Sequence, residues 1–236
     1  MAIWVGTPGS GNLDLNGHTL TIAGLTSTGA VGAPDGLVGT PGLTFKDDLD
    51  NGFFRLSANR WAAVAAGARS LTFEAAGAIT NPLQPAFFAR REAAYANVTG
   101  AGLLINPVIF DAELFDNAAE YDPATGIYTA GVAGKRHFNV SIYYSDTTAQ
   151  LAPMTQGIIT IVVTVANYPH NFNPTPGATL GGGTSGGMEH TSLEVNMAVG
   201  DTARVRFVIN NGVGNTVDIA ASTTEFVTVF SGFLIA

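Results

Sequence analysis

The stretch "SLEVNMAVGDTARVRFVI" constrains the fold of this chain more than any other. Leu193, Val195 and Met197 alternate with polar residues before Gly200-Asp201, and Val205, Phe207 and Ile209 alternate after it. A period of two places every second side chain on one face of a strand. Two such runs around a Gly-Asp pair read as an antiparallel hairpin. Similar pieces recur at roughly regular spacing: "PAFFARREA", "NPVIFDAEL", "GIYTA", "KRHFNVSIYYS", "GIITIVVTVAN", "TVDIAAS" and "FVTVFSGFLIA". No segment sustains an apolar period of 3.6 long enough for a core helix. The expected class is all-β, a sandwich or barrel of many short strands.

Composition agrees with strands joined by tight turns. Only 12% of the residues are charged, while Gly contributes 29 and Pro 11 of the 236. Disorder needs the opposite bias, little hydrophobicity and much charge. With no cysteine, the chain has no disulfide, thiolate zinc site, iron–sulfur cluster or Cys nucleophile. A net charge of −8, with scattered basic residues, argues against a nucleic-acid partner, because no basic stripe neutralises phosphates. No apolar run reaches the length of a membrane helix. The N-terminus "MAIWVGTPGSGNLDLNG" lacks the basic and apolar regions of a secretory signal.

Three zones follow. In residues 1–39, Leu13, Leu15, Leu20 and Ile22 can share a face across an Asn16-Gly17 turn, forming a rung too small to stand alone. After the rung, "TSTGAVGAPDGLVGTPG" reads as an irregular linker. Residues 40–83 hold very short apolar pieces punctuated by Gly, Asn and Asp. There the Ala-rich "ANRWAAVAAGARS" suits a helix by propensity, but Trp61, Ala63 and Ala65 alternate up to Gly67, and strands are expected. Residues 84–236 carry the regular strand pattern.

The candidate chemistry is thin. Asp111, Glu113, Asp116, Glu120 and Asp122 crowd one stretch, and paired carboxylates serve glycosidases when held in a cleft. No His, Lys or Tyr is patterned to complete a mechanism, so these acids are expected on solvated faces and as turn caps. "YDPATG" reads as a turn, with Gly126 at positive φ, and a bulge or strand end is expected near Leu114. Of His18, His137, His170 and His190, none forms a ligand pair. His170 and His190 flank a glycine-rich loop and are expected as exposed loop residues. "KDDLDNG" has calcium-loop spacing from Asp47 but Ala58 at the twelfth position, so a turn capped by acids is expected. No GxSxG elbow occurs, and no cofactor is expected.

Phe110, Asp116, Tyr121, Tyr128, Gly134 and Phe138 fall at the spacing of a known signature, and residues 84–236 resemble the C1q/TNF-like family. "PAFFARREA" resembles that family's first strand, "LEVNMAVGDTARVRF", with Gly200 and Asp201, its penultimate hairpin, and "FVTVFSGFLIA", with Phe230 and Gly232, its closing strand. Two positions depart from the pattern: Arg136 stands where the family prefers Tyr, and Val140 where it has an aromatic. Residues 40–80 resemble a module of bacteriophage fibres, through Pro41, Phe45, Asp48, Gly52, Arg55, Asn59, Gly67 and Leu71.

These resemblances imply a ten-stranded jelly-roll head that forms homotrimers, above an N-terminal β-rich trimeric stalk. The implied protein is a non-enzymatic fibre or spike on the surface of a phage or phage-like particle. Its N-terminal segment would bind capsid or tail proteins, and its head would touch host polysaccharide, with avidity over many copies. Tyr168, His170, Asn171, Phe172, Asn173 and His190 are the expected ligand-binding residues. The alternatives are a capsid-cementing decoration protein, which a short N-terminus favours, and a glycan-degrading spike.

Overall fold

A computed structural model describes residues 32–145, 156–164, 166–172, 174, 186–212 and 214–235. The expected rung at Leu13–Ile22 lies outside the described residues, as does His18. The described chain is all-β and contains no helix. Its strand pairings fall into two groups, one within residues 36–80 and one within residues 86–234.

The first group begins inside the stretch expected as linker, where β1 (Gly36–Leu37) and β2 (Thr40–Pro41) form a minimal hairpin. An antiparallel meander follows: β3 (Leu43–Phe45), β4 (Asp48–Ser57), β5 (Arg60–Ala65), β6 (Ala68–Phe73) and β7 (Ile79–Thr80). The Ala-rich segment is strand because turn chemistry overrides helix propensity. Ala66 and Gly67 both take positive φ (52° and 68°), the requirement of a two-residue type I′ hairpin. Asn51 Oδ1 holds that turn by accepting from Ala66 N at 2.8 Å. Of the "KDDLDNG" acids, only Asp47 lies in a turn; Asp48 and Asp50 belong to β4, because pairing with β3 and β5 extends the strand through them.

This meander is a single layer with an open apolar face. Leu43, Phe53, Ala63 and Leu71 stand in one cross-strand row, and Arg55, Trp61, Phe73 and Ile79 in the next. Trp61 stacks on Phe73 with centroids 3.7 Å apart, yet Trp61 is 42% exposed and Leu43 58%. On the other face only Ala62, Val64 and Thr72 are buried side chains.

The second group comprises β8 (Ala86–Arg90), β9 (Tyr95–Thr99), β10 (Ala112–Asp116), β11 (Tyr121–Asp122), β12 (Ile127–Thr129) and β13 (Gly134–Ser145). It continues with β14 (Gln156–Val163), β15 (Ala166–Phe172), β16 (Gly187–Met197), β17 (Thr202–Asn210), β18 (Val217–Ile219) and β19 (Val229–Leu234). Ten of these strands build a two-sheet jelly roll. One sheet runs β10-β8-β19-β13-β16, and the other β11-β12-β17-β14-β15. β18 and β9 add to the first sheet beyond β19, along the end of β13. The expected bulge appears in β10, between Glu113 and Phe115.

"LEVNMAVGDTARVRF" is not a hairpin. β16 pairs with β13 in one sheet, whereas β17 pairs with β12 and β14 in the other. Gly200-Asp201 therefore carries the chain across the sandwich, with Gly200 at φ 85° and Asp201 Oδ2 accepting from Ala198 N at 2.8 Å. The alternation specifies which side chains face the core, and Val195, Met197, Val205 and Phe207 all do. It does not specify which strand lies alongside, and here the two runs sit in opposite layers.

Aromatic side chains are densest at one end of the core. Phe87, Phe110, Tyr121, Tyr128, Phe138 and Phe230 cluster at one end, with Phe138 and Phe230 centroids 5.7 Å apart. Gly232 admits these rings: a Cβ there would stand 2.6 Å from the Phe138 ring and 2.8 Å from Phe87. Val140, Ile142, Ile159, Ile161, Val205 and Ile209 continue the core, with Tyr144 and Phe207.

Burial raises the phenols of Tyr121 and Tyr128, and pushes that of Tyr144 up to about 12 with help from Glu189. Their contribution to stability is complete below the phenol's ordinary value of about 10 and is lost as pH rises through the folded values. Each phenol then removes up to about 1.4 kcal/mol per pH unit. Calorimetry across pH 8–12 should show a flat midpoint up to about pH 10 and a steep fall above it. A midpoint level through pH 12 would mean that these hydroxyls reach water.

Candidate binding surface

The acids that suggested catalysis are placed one by one. Asp111 accepts from Glu92 N (2.7 Å) and Ala93 N (3.2 Å), and Asp116 from Tyr121 N (2.7 Å) and Ala118 N (3.2 Å). Asp122 caps the 122–126 turn through the Thr125 hydroxyl and Ala124 N, which hold its carboxyl below the usual range. Gly126 has φ 69° there, as a turn of this type needs. Asp116 and Asp122 are local caps, as expected from the sequence, while Asp111 ties the 92–93 segment to the start of β10.

Glu120 is the exception: expected on a solvated face or cap, it is buried. Its carboxylate accepts from Gly131 N at 2.6 Å, from the Tyr128 hydroxyl, and from Arg136 Nη2 at 3.3 Å. Arg136, the departure from the family pattern, is fully buried and donates Nε to the Tyr128 hydroxyl and Nη2 to Val132 O at 2.7 Å. It lies on the inward face of β13, alternating with Phe138 and Val140, while Tyr128 comes from the opposing sheet. A cation, a phenol and a carboxylate thus join the two layers at the end of the apolar core. The group is closed to substrate, and its chemistry is structural.

Glu113 is raised by desolvation, with Asp116 and Asp122 adding repulsion. It lines an open cavity of about 280 Å³ with Leu114, Phe115, Asp116, Ala119 and Tyr121. Asp116 is committed to its two backbone donors and Tyr121 to Phe110, so Glu113 has no second free carboxylate in that cavity. Among the described residues no three His, Cys, Asp or Glu side chains group as metal ligands. Among the described residues no helix is long and apolar enough to cross a membrane.

The expected ligand-binding residues lie on strands rather than at a loop tip. Tyr168, His170 and Phe172 are half-buried on the inward side of β15, and Asn171 is exposed on its outward side. Tyr168 packs against the core, and Phe172 packs on Tyr144 and Phe207 and covers Gly157. His190 is exposed on β16, opposite Ser141. His170 Nε2 stands 4.0 Å from Glu189. Asn173 lies outside the described residues. Strand alternation therefore splits the set between two faces, which a reading of 168–190 as one loop did not anticipate. Pairing Tyr168, His170 and Phe172 by parity with Ile161, Ile159 and Gly157 would have revealed it.

No family model matches the chain, and no curated protein matches it. Among solved structures it is similar to the globular domain of zebrafish complement 1qA, at 19% identity and TM-score 0.44, covering 65% of this chain and 98% of that one. It is also similar to murine APRIL, in a structure at pH 8.5, at 7% identity and TM-score 0.41, covering 64% and 99%. The C-terminal unit is an all-β, two-sheet jelly roll, and that topology stands on the strand pairings themselves.

Proposed function

We propose that the chain is a non-enzymatic structural protein that acts as a homotrimer, projecting from a phage or phage-like particle and contacting host-surface glycan through its head. The observation that carries this reading is the uncovered face of the 43–80 meander. A lone sheet layer needs a second layer to bury its apolar side, and Leu43, Phe53, Trp61 and Leu71 have none among the described residues. Copies of the same sheet supply that layer by symmetry. The outer face of the first head sheet adds a second exposed cluster, in which Phe88 lies 6.3 Å from Phe115 and 5.4 Å from Phe226. Trimerisation also supports a cysteine-free protein outside a cell. The likeness of residues 40–80 to a phage fibre module supports the particle.

Light scattering on the purified chain is expected to give about three times the 24.3 kDa of one chain. A monomer mass overturns the architecture. Electron cryo-microscopy of the particle then separates a projecting fibre from a cement protein seated between capsomers. Release of oligosaccharides from host capsule, abolished by Glu113→Gln, would instead establish the degrading spike.

A further inference from the structure

The chain carries a net charge of −8, yet β12, β14, β15 and β17 contain no Asp or Glu. The second sheet's strands contribute one acid, Asp122 of β11, two strands from Arg204 and engaged by the Thr125 hydroxyl and Ala124 N. Their Lys and Arg side chains are Arg204 and Arg206 of β17. Ala203, Val205, Phe207 and Ile209 face the core, so Arg204 and Arg206 point from the outer face of the second sheet. Two residues apart on a strand, they stand about 7 Å from each other.

Both guanidiniums are oriented by neutral amides. Arg204 Nε donates to Asn106 Oδ1 at 3.1 Å, and Arg206 Nη2 donates to Asn167 Oδ1 at 2.7 Å. The salt bridges among the described residues engage Arg55, Arg60, Arg90 and Arg136, and neither of these two. An amide oxygen fixes a guanidinium without cancelling its charge, and most of the fork stays available. Arg206 Nε is in addition buried with no hydrogen-bond partner. A cavity of about 350 Å³ opens beside Arg204, lined also by Val162, Val163, Thr164, Ala166 and Asn167. Farther along the same face a row of amides continues, Asn210 to Gln156 at 3.1 Å and Gln156 to Asn171 at 3.3 Å.

We propose that this outer face binds an acidic polysaccharide, with uronic-acid carboxylates on Arg204 and Arg206 and sugar hydroxyls on the neighbouring amides. A planar guanidinium meets a carboxylate with two parallel hydrogen bonds, and amides exchange hydrogen bonds with hydroxyls in both directions. A nucleic acid is the poorer match: duplex DNA presents a charge about every 1.7 Å, and two arginines in a strongly acidic protein neutralise few of them. The inference deepens the glycan-contact reading and moves the contact from the β15–β16 strip to the sheet face.

The test is calorimetric binding of the full chain to polygalacturonate, carboxyl-reduced polygalacturonate, neutral dextran, dextran sulfate and single-stranded DNA. Polygalacturonate should bind and weaken as salt rises, while the carboxyl-reduced polymer and neutral dextran should not bind. Arg204→Gln and Arg206→Gln should each weaken binding roughly tenfold, whereas Lys135→Gln, on the other sheet, should not. Because the carboxyl-reduced polymer is compared on the native chain, the result does not hang on how the variants fold. Undiminished binding by the folded double variant, equal binding of the reduced polymer, or no polygalacturonate binding at low salt overturns the proposal. Dextran sulfate or DNA binding as tightly as polygalacturonate overturns the carboxylate assignment. A monomer that binds polygalacturonate removes only the trimer; a trimer that does not bind removes only this site.

Discussion

Arg136→Ala is expected to destabilise the head by about 3–5 kcal/mol, since it strands a buried carboxylate without its cation. Glu120 would keep the Gly131 amide and the Tyr128 hydroxyl, but no positive charge would remain beside it. Glu120→Ala should do comparable damage by leaving the guanidinium uncompensated. The informative variant is the pair Glu120→Leu with Arg136→Met, which exchanges the ionic contact for apolar packing. Such exchanges are often neutral or stabilising, so the double variant should recover most of the loss. Calorimetry reads the effect directly, because the chain's tryptophans, Trp4 and Trp61, both precede the head. Single variants within about 1 kcal/mol of the parent would show that water reaches the group and screens the pair. If the double variant is as damaged as the singles, Tyr128 needs both charges.

Trp61→Asp combined with Phe73→Asp is expected to dissociate the proposed trimer into chains of 24.3 kDa. The two rings stack at 3.7 Å on the open face of the meander. A carboxylate at each would have to be buried in any interface that uses this face, at a cost of several kcal/mol per charge. Three copies meeting on one axis multiply that cost, and like charges would oppose each other there. In a single chain both substitutions face solvent, so the head should keep its own thermal transition. Light scattering that still reports a trimer would remove the meander as the assembly surface. The exposed Phe88, Phe115 and Phe226 cluster would then be the next surface to mutate.

Much of the fold was legible from local chemistry. Alternation identified β16 and β17 and the face that they bury, and marked the segments of β13 and β14 as strands, because burial on one face imposes a period of two. Turn residues located several chain reversals. Asp122 and Gly126 did so through a side-chain cap and a positive φ, and Ala66-Gly67 closed two strands where Ala content suggested a helix. What local chemistry left open was partnership. The runs on either side of Gly200-Asp201 look like neighbours, yet each bonds to a strand tens of residues away. The five acids of 111–122 look equivalent, and burial by a distant sheet separates Glu120 from the rest. The ligand-binding residues expected between 168 and 190 were grouped by proximity in the chain, whereas strand pleating sends them to opposite faces.

The sequence by itself determined that this chain is all-β, that it has no cysteine chemistry, and which positions face a core. Those properties follow from composition and from a two-residue period, which need no knowledge of what lies opposite. Only the tertiary structure decided which layer each strand joins, why Arg136 stands in an apolar row, and that Arg204 and Arg206 share one outer face with a row of amides. Each depends on residues far apart in the chain, and electrostatic and burial energies are set by distance in space. Arg136 is tolerable in a core only because Glu120 and Tyr128 reach it from the other sheet.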